Sequence, residues 1–220
     1  MNPTDPTSPK IRFRDERGYR TILAVAAIYA VYTVVTFASI VIVWKMADHH
    51  RKGLFTEGSP LEMAQLLIML AGAVLAFVAA SRSSECAVLV RTLGIFCLLA
   101  VIRELDHDFD TWIPVAGWHL PFHLLFLTGV WMAFKNRVKL LGQLRGFVLH
   151  RSFGTIWGGF MMTIPFAQMI GHGDFLETVF GPDYERSMKR VIEECAETFG
   201  YMIIVLGILD YIMSRKMNAD

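Results

Sequence analysis

TILAVAAIYAVYTVVTFASIVIVW, residues 21–44, runs for twenty-four residues without a single charge. A helix rises about 1.5 Å per residue and the hydrocarbon core of a bilayer is about 30 Å thick, so a run of this length crosses it with residues to spare. It is too long for the apolar core of a secretion signal, and no convincing small-residue cleavage site follows it. It therefore reads as a retained membrane span.

Further apolar segments recur at 61–81, 86–105, 118–134, 153–171 and 191–213, each close to the length a spanning helix needs. The expected fold is all-α: a polytopic integral membrane bundle of about six transmembrane helices over residues 21–214. A polar tail at 1–20 precedes it and a short tail at 215–220 follows. Composition agrees, since 54% of the 220 residues are hydrophobic and only 19% are charged, too apolar for an ordinary soluble domain. Cys86, Cys97 and Cys195 form no CxxC pair, which argues against a disulfide framework or a cysteine zinc site. The near balance of 21 basic and 20 acidic residues offers no basic field, so nucleic acid is not an expected partner.

Six spans with a cytoplasmic N-terminus place 14 of the 21 Lys and Arg residues on the inner side, as the positive-inside rule requires. Both termini are then cytoplasmic, and a bacterial inner membrane is the expected location. Histidines and carboxylates distribute in the opposite sense. His49, His50, His107, His119, His123 and His172 fall outside, with 14 of the 20 Asp and Glu residues.

The informative polar groups are those the span boundaries carry into helices, where an ionised side chain needs a partner. Glu62 and Gln65 open the second span on one face. Arg103 and Glu104 close the third, and Asp108 follows one turn on if that helix continues. His119 and His123 open the fourth at i, i+4, and Gln168 and His172 close the fifth at the same spacing. Glu193, Glu194 and Glu197 open the sixth, with Tyr201 one turn deeper. Five helices thus bring polar groups to similar depth, which is how a bundle builds one site.

Each cluster also has a structural reading. Glu62 complements the start of a helix after Ser59-Pro60. Glu193 and Glu194 have Lys189 and Arg190 one turn earlier, which gives at least one of them a solvated, ion-paired role, and Arg103 neutralises a neighbouring carboxylate. RELDHDFDTWIP, residues 103–114, reads as a hydrated loop from which Asp108 is held as a candidate. Trp112, Trp118 and Trp131, with Tyr184 and Tyr201, suit an interfacial belt. Gly72, Gly154, Gly158 and Gly159 permit close helix contact. Glu197 makes the strongest individual claim: it precedes TFGYMIIVLGIL with no basic residue in the next two turns, so it must be neutral, paired across helices or bound to a cation.

The leading functional expectation is a metal-dependent membrane enzyme. Its ligands are drawn from Glu62, Glu104, His119, His123, His172, Glu194 and Glu197, with Arg103 and Asp108 as catalytic candidates. Imidazole and carboxylate ligands suit zinc or iron. One zinc would activate water to hydrolyse a lipid-linked substrate at the outer leaflet; two irons would suit oxygen chemistry. The HxxxH pair resembles the histidine pair of the seven-helix hydrolase group that contains the alkaline ceramidases. The likeness covers His119 and His123 alone, sits in the fourth span rather than the last, and lacks that group's serine and aspartate pattern. The second expectation is an ion- or proton-coupled transporter or sensor using the same carboxylates. The third is a b-type haem between His119 or His123 and His172.

Overall fold

The computed structural model describes residues 16–55, 58–82 and 85–217. Most of the polar tail at 1–20 and the end of the tail at 215–220 lie outside the described residues. Every regular element among those described is a helix. The chain divides into two compact units, Met1–Ile42 and Val43–Asp220, with the boundary inside the first helix.

That helix, α1, runs Glu16–His50. Its apolar positions face every direction, and Ile22, Val34, Phe37 and Trp44 are all exposed. An apolar surface all round is what a lipid-facing helix presents.

In the second unit, α2 (Pro60–Arg82) and α3 (Ala87–Glu104) form a hairpin. The long α10 (Arg186–Met217) packs on α2 and on α7 (Arg151–Met161). α5 (His119–Lys135) packs on the outer side of α3. Three short helices, α4 (Asp106–Trp112), α6 (Arg137–Val148) and α9 (Gly173–Phe180), connect them, and α8 (Ala167–Ile170) prolongs α7. The core between α2, α3 and α10 is made by Met69, Ala73, Ala76, Cys97, Ile204, Ile208 and Tyr211. Small residues on α2 allow the close approach.

Among the described residues, three helices are long and apolar enough to cross a membrane: Ile22–His50 within α1, Pro60–Arg82 and Arg186–Ser214 within α10. The other three expected segments are helical but less simple. α3 carries Arg91, Arg103 and Glu104 within 18 residues, and α5 has 17 residues. The fifth segment widens into a π turn at Met162–Phe166. Pro165 is the cause: it has no N–H to give to the carbonyl four residues back, and its ring crowds that carbonyl. The hydroxyl of Thr163 donates to Gly159 O at 3.0 Å beside the widened turn.

The stretch read as a hydrated loop is helical. Residues 106–112 form α4, whose Asp106, Asp108 and Asp110 are exposed. The segment after Lys135 forms α6, which has a docking role. Gln143 on α6 accepts from Leu89 N at 2.9 Å and donates to Glu85 O at 2.6 Å, capping the start of α3, whose own Cys86 makes no side-chain cap. A cap supplied 54 residues away in sequence is invisible to local pattern.

The close approaches of α7 and α10 are made by Gly159 and Gly200. A Cβ on Gly159 would stand 2.7 Å from Gly200 O, and one on Gly200 would overlap Thr163 Oγ1. Gly72 also lies at a contact, against Val205. Gly154 and Gly158, by contrast, face open space.

Candidate functional site

α2, α3 and α10 bring their polar residues together at one end of the second unit. α2 begins with a reciprocal cap: Ser59 Oγ accepts from Glu62 N at 3.2 Å, and Glu62 Oε2 accepts from Gly58 N at 2.7 Å. This holds Glu62 at the helix start and turns Gln65, one turn on, into the interior. Gln65 is completely buried. Its Nε2 donates to Glu194 Oε2 at 2.9 Å, to Thr198 Oγ1 at 2.9 Å and to Glu194 O at 3.1 Å.

Deeper in the same network, Arg103 Nη1 donates to Glu197 Oε1 at 2.8 Å. Glu197 is 2% exposed, and 45% of the Arg103 side chain is open. The structure therefore pairs Glu197 across helices. Beside it, the Tyr201 hydroxyl donates to Glu104 Oε1 at 2.7 Å, with Glu104 itself buried. Tyr201 is 2% exposed and belongs to this network rather than to an interfacial belt. A buried carboxylate needs such donors because water no longer solvates it.

Arg103 and Tyr201 have a second surface. With Phe96, Leu99, Ala100, Phe122, His123, Phe126, Thr163 and Ile164 they line a cavity of about 390 Å³ between α3, α5, the π turn and α10. Its walls are mostly hydrocarbon, and its polar groups come from Arg103, Tyr201, His123 and Thr163.

His123 Nδ1 lies 2.6 Å from His119 O. A carbonyl can only accept, so Nδ1 carries a proton, and the neutral ring then has its lone pair on Nε2. His119 is stacked on Trp118, with ring centroids 4.1 Å apart, and its own ring is 6.1 Å from that of His123.

Of the residues singled out in the sequence, Glu104, Glu194, Glu197 and Arg103 are brought into one network, and His123 borders the adjoining cavity. Glu62 is held in its helix cap yet remains within electrostatic reach of Glu194. Asp108 is exposed on α4. His172 is exposed at the start of α9, 3.9 Å from Asp174, and Gln168 is exposed on α8. Among the described residues no three His, Cys, Asp or Glu side chains are grouped closely enough to hold a metal ion. Glu104 and Glu197 are instead engaged by Tyr201 and Arg103.

The opposite end holds a second polar cluster that sequence reasoning missed. Arg151 holds Asp210 with two hydrogen bonds, Nε to Oδ2 at 3.0 Å and Nη2 to Oδ1 at 2.6 Å, and the Ser152 hydroxyl adds a third at 2.6 Å. His150 Nδ1 accepts from Ser152 N at 3.2 Å, so its other nitrogen carries the proton and donates to Ser214 Oγ at 2.9 Å. Ser214 in turn donates to Tyr211 O. The imidazole is therefore a donor to this serine rather than its base, and the cluster clamps α7 to α10. The signal was Asp210 inside LGILDYIM, a carboxylate in an apolar run just as Glu197 is.

The chain matches no protein-family model, no curated protein and no solved structure.

Proposed function

We propose that the protein is a multi-pass integral membrane enzyme that acts on a lipid-type amphiphile at the outer leaflet. In this reading α3, α5 and the rod Arg151–Ile170 cross the bilayer as well as the three longer helices. Both termini lie in the cytoplasm, and the carboxylate end faces outward, in accord with the distribution of Lys and Arg.

The observation that carries the reading is the double engagement of Arg103 and Tyr201. Both line the apolar cavity, and both hold a buried carboxylate behind its wall. A pocket with hydrocarbon walls and a few convergent polar groups suits a ligand of the same pattern. The chain of an amphiphile lies among Phe96, Leu99, Phe122 and Phe126, and its polar group meets Arg103 and His123. There Nε2 of His123 is placed to accept a hydrogen bond from a hydroxyl or water at that group, and the Arg103 guanidinium to hold a negatively charged or carbonyl oxygen. Glu197 positions that guanidinium.

Lipid analysis of protein purified in a mild detergent tests this. Wild-type protein is expected to retain a stoichiometric amphiphile, and Ala100→Trp, which fills the cavity, to lose it while remaining folded. Wild-type protein with no bound amphiphile, or undiminished binding in Ala100→Trp, defeats the reading.

One observation favours metal-dependent chemistry at the same place. His123 gives its Nδ1 proton to a backbone carbonyl and keeps Nε2 free, the arrangement typical of metal-ligating histidines. Zinc or iron bound there would draw its remaining ligands from Glu104, Glu194 and Glu197, with Tyr201 and Arg103 giving up their bonds to them. Elemental analysis of protein purified without chelator is expected to give about one or two ions per chain, lost in His123→Ala. Metal-free wild-type protein removes this second reading and leaves the first standing.

A further inference from the structure

α6 is held to the bundle by one of its faces only. Leu140, Gln143 and Phe147, at i, i+3 and i+7, point inward: Gln143 caps α3, and the Phe147 ring lies 5.0 Å from that of Tyr211 and 5.5 Å from that of Phe153. These contacts fix the rotation of the helix about its axis and so settle where its other side chains point. Leu141, Leu144 and Val148 share a second face at the same spacing, and all three are exposed. Arg137 and Arg145 lie in one row with Leu141, a turn before and a turn after it, and both are exposed. Lys139 belongs to a third face: with Gly142, Gln143 and Gly146 it lines an open cavity of about 470 Å³ against Glu85 and Cys86, away from the apolar stripe.

Charge on this part of the chain has one sign. No Asp or Glu occurs from Thr111 to Gly173, a stretch that contains Lys135, Arg137, Lys139, Arg145 and Arg151. Asp210 engages Arg151, whereas among the described residues no carboxylate forms an ion pair with Lys135, Arg137 or Arg145. Lys135 and Arg137 instead lie over Trp131 and Phe134, each 4.9 Å from the ring centroid. Both rings are exposed at the end of α5, where an interfacial belt would put them. Apolar surface, aromatic rim and unopposed cations therefore continue from α5 onto α6.

We infer that α6 lies in the plane of the membrane surface at which α5 ends, and that it binds the headgroups of anionic glycerophospholipids. Leu141, Leu144 and Val148 sink among the acyl chains, and Arg137 and Arg145 meet the phosphates. A helix with an apolar stripe flanked by arginines enters the boundary between chains and headgroups in this way. The inference rests on the proposed crossing of α5 and the rod Arg151–Ile170. One residue separates α5 from α6 and two separate α6 from α7, so the helix cannot leave the surface at which both spans end. That tether is why the stripe meets lipid rather than an acidic protein partner.

The test titrates the full chain, in a neutral detergent, with phosphatidylglycerol against phosphatidylcholine of the same acyl chains, and counts retained lipids by native mass spectrometry. Phosphatidylglycerol is expected to bind saturably and about tenfold or more tightly. Arg137→Gln and Arg145→Gln should each weaken it about fivefold, the worth of one cation at an anionic surface, and leave phosphatidylcholine unchanged. Lys139→Gln, on the other face, should bind as wild type does. Equal affinities for the two lipids overturn the inference, and so does a loss in Lys139→Gln as large as in Arg145→Gln, which would mean diffuse charge and no seat. Selectivity that persists in Ala100→Trp separates this site from the apolar cavity. Should the arginine variants not fold, a nitroxide on Leu144→Cys in phosphatidylglycerol vesicles decides the matter. Protection from a water-soluble relaxation agent supports the inference, and free access overturns it and leaves the stripe to a protein partner. Labelling from the two sides of the membrane keeps the site apart from the six-span arrangement. A reversed pattern with selectivity intact overturns the orientation and leaves the site, whereas the expected pattern with equal affinities removes the site and leaves the six spans.

Discussion

Glu197 is a carboxylate sealed in a helical interior with one guanidinium for company, and removing that partner is costly. Arg103→Ala leaves a buried charge unpaired. Losses on breaking such pairs run about 3–5 kcal/mol, and the result here is expected at the lower end because the Arg103 side chain is 45% open to its surroundings. Denaturant unfolding in detergent reads it, with Arg103→Lys restoring part of the loss. Tyr201→Phe takes one donor from buried Glu104 and is expected to cost about 1–3 kcal/mol. Asp210→Asn should weaken the clamp with Arg151 at the other end without altering amphiphile binding, a result that would separate the two polar clusters. Glu104, Arg103, Glu194 and Glu197 stood out in the sequence because a charged group inside an apolar run demands explanation. Asp210 met the same criterion. Gln65 was noted only as a neighbour of Glu62, because an uncharged amide raises no alarm until its burial is known.

At the scale of elements, the contact between α7 and α10 depends on glycine. Gly159→Ala and Gly200→Ala drive a methyl group into backbone or into Thr163, and each is expected to destabilise by about 1–3 kcal/mol as overpacking. Gly154→Ala and Gly158→Ala place the same methyl in open space, so they should be neutral or gain up to about 1 kcal/mol from helix propensity. Equal losses at all four positions would mean that the helices do not meet where described. Helix positions were readable from run length: the four middle apolar segments match their helices to within two residues, while the first and last helices extend up to six residues beyond theirs. The π turn was not, because Pro165 announces a disruption but does not say whether the helix kinks, ends or widens. The cap that Gln143 supplies to α3 was equally hidden.

For the whole molecule, the six crossings proposed above would place α6 in the cytoplasm and the turn before α10 outside. Cysteines introduced at exposed Arg145 and exposed Asp183 test this on intact cells with a membrane-impermeant maleimide. Asp183→Cys is expected to label, and Arg145→Cys only after the cells are opened. Labelling of both or the reverse pattern would end the six-span arrangement. The amino-acid sequence by itself determined that the chain is helical, that it holds membrane-length apolar segments, and that its carboxylates gather at their ends. These follow from hydropathy and run length, which are local properties of a chain that must satisfy its own backbone in lipid. Only the tertiary structure decided which of those carboxylates share a site. Glu197 meets Arg103 across 94 residues, and Glu104 meets Tyr201 across 97. Such pairings depend on the rotation of each helix about its axis, which packing sets and which no single helix encodes.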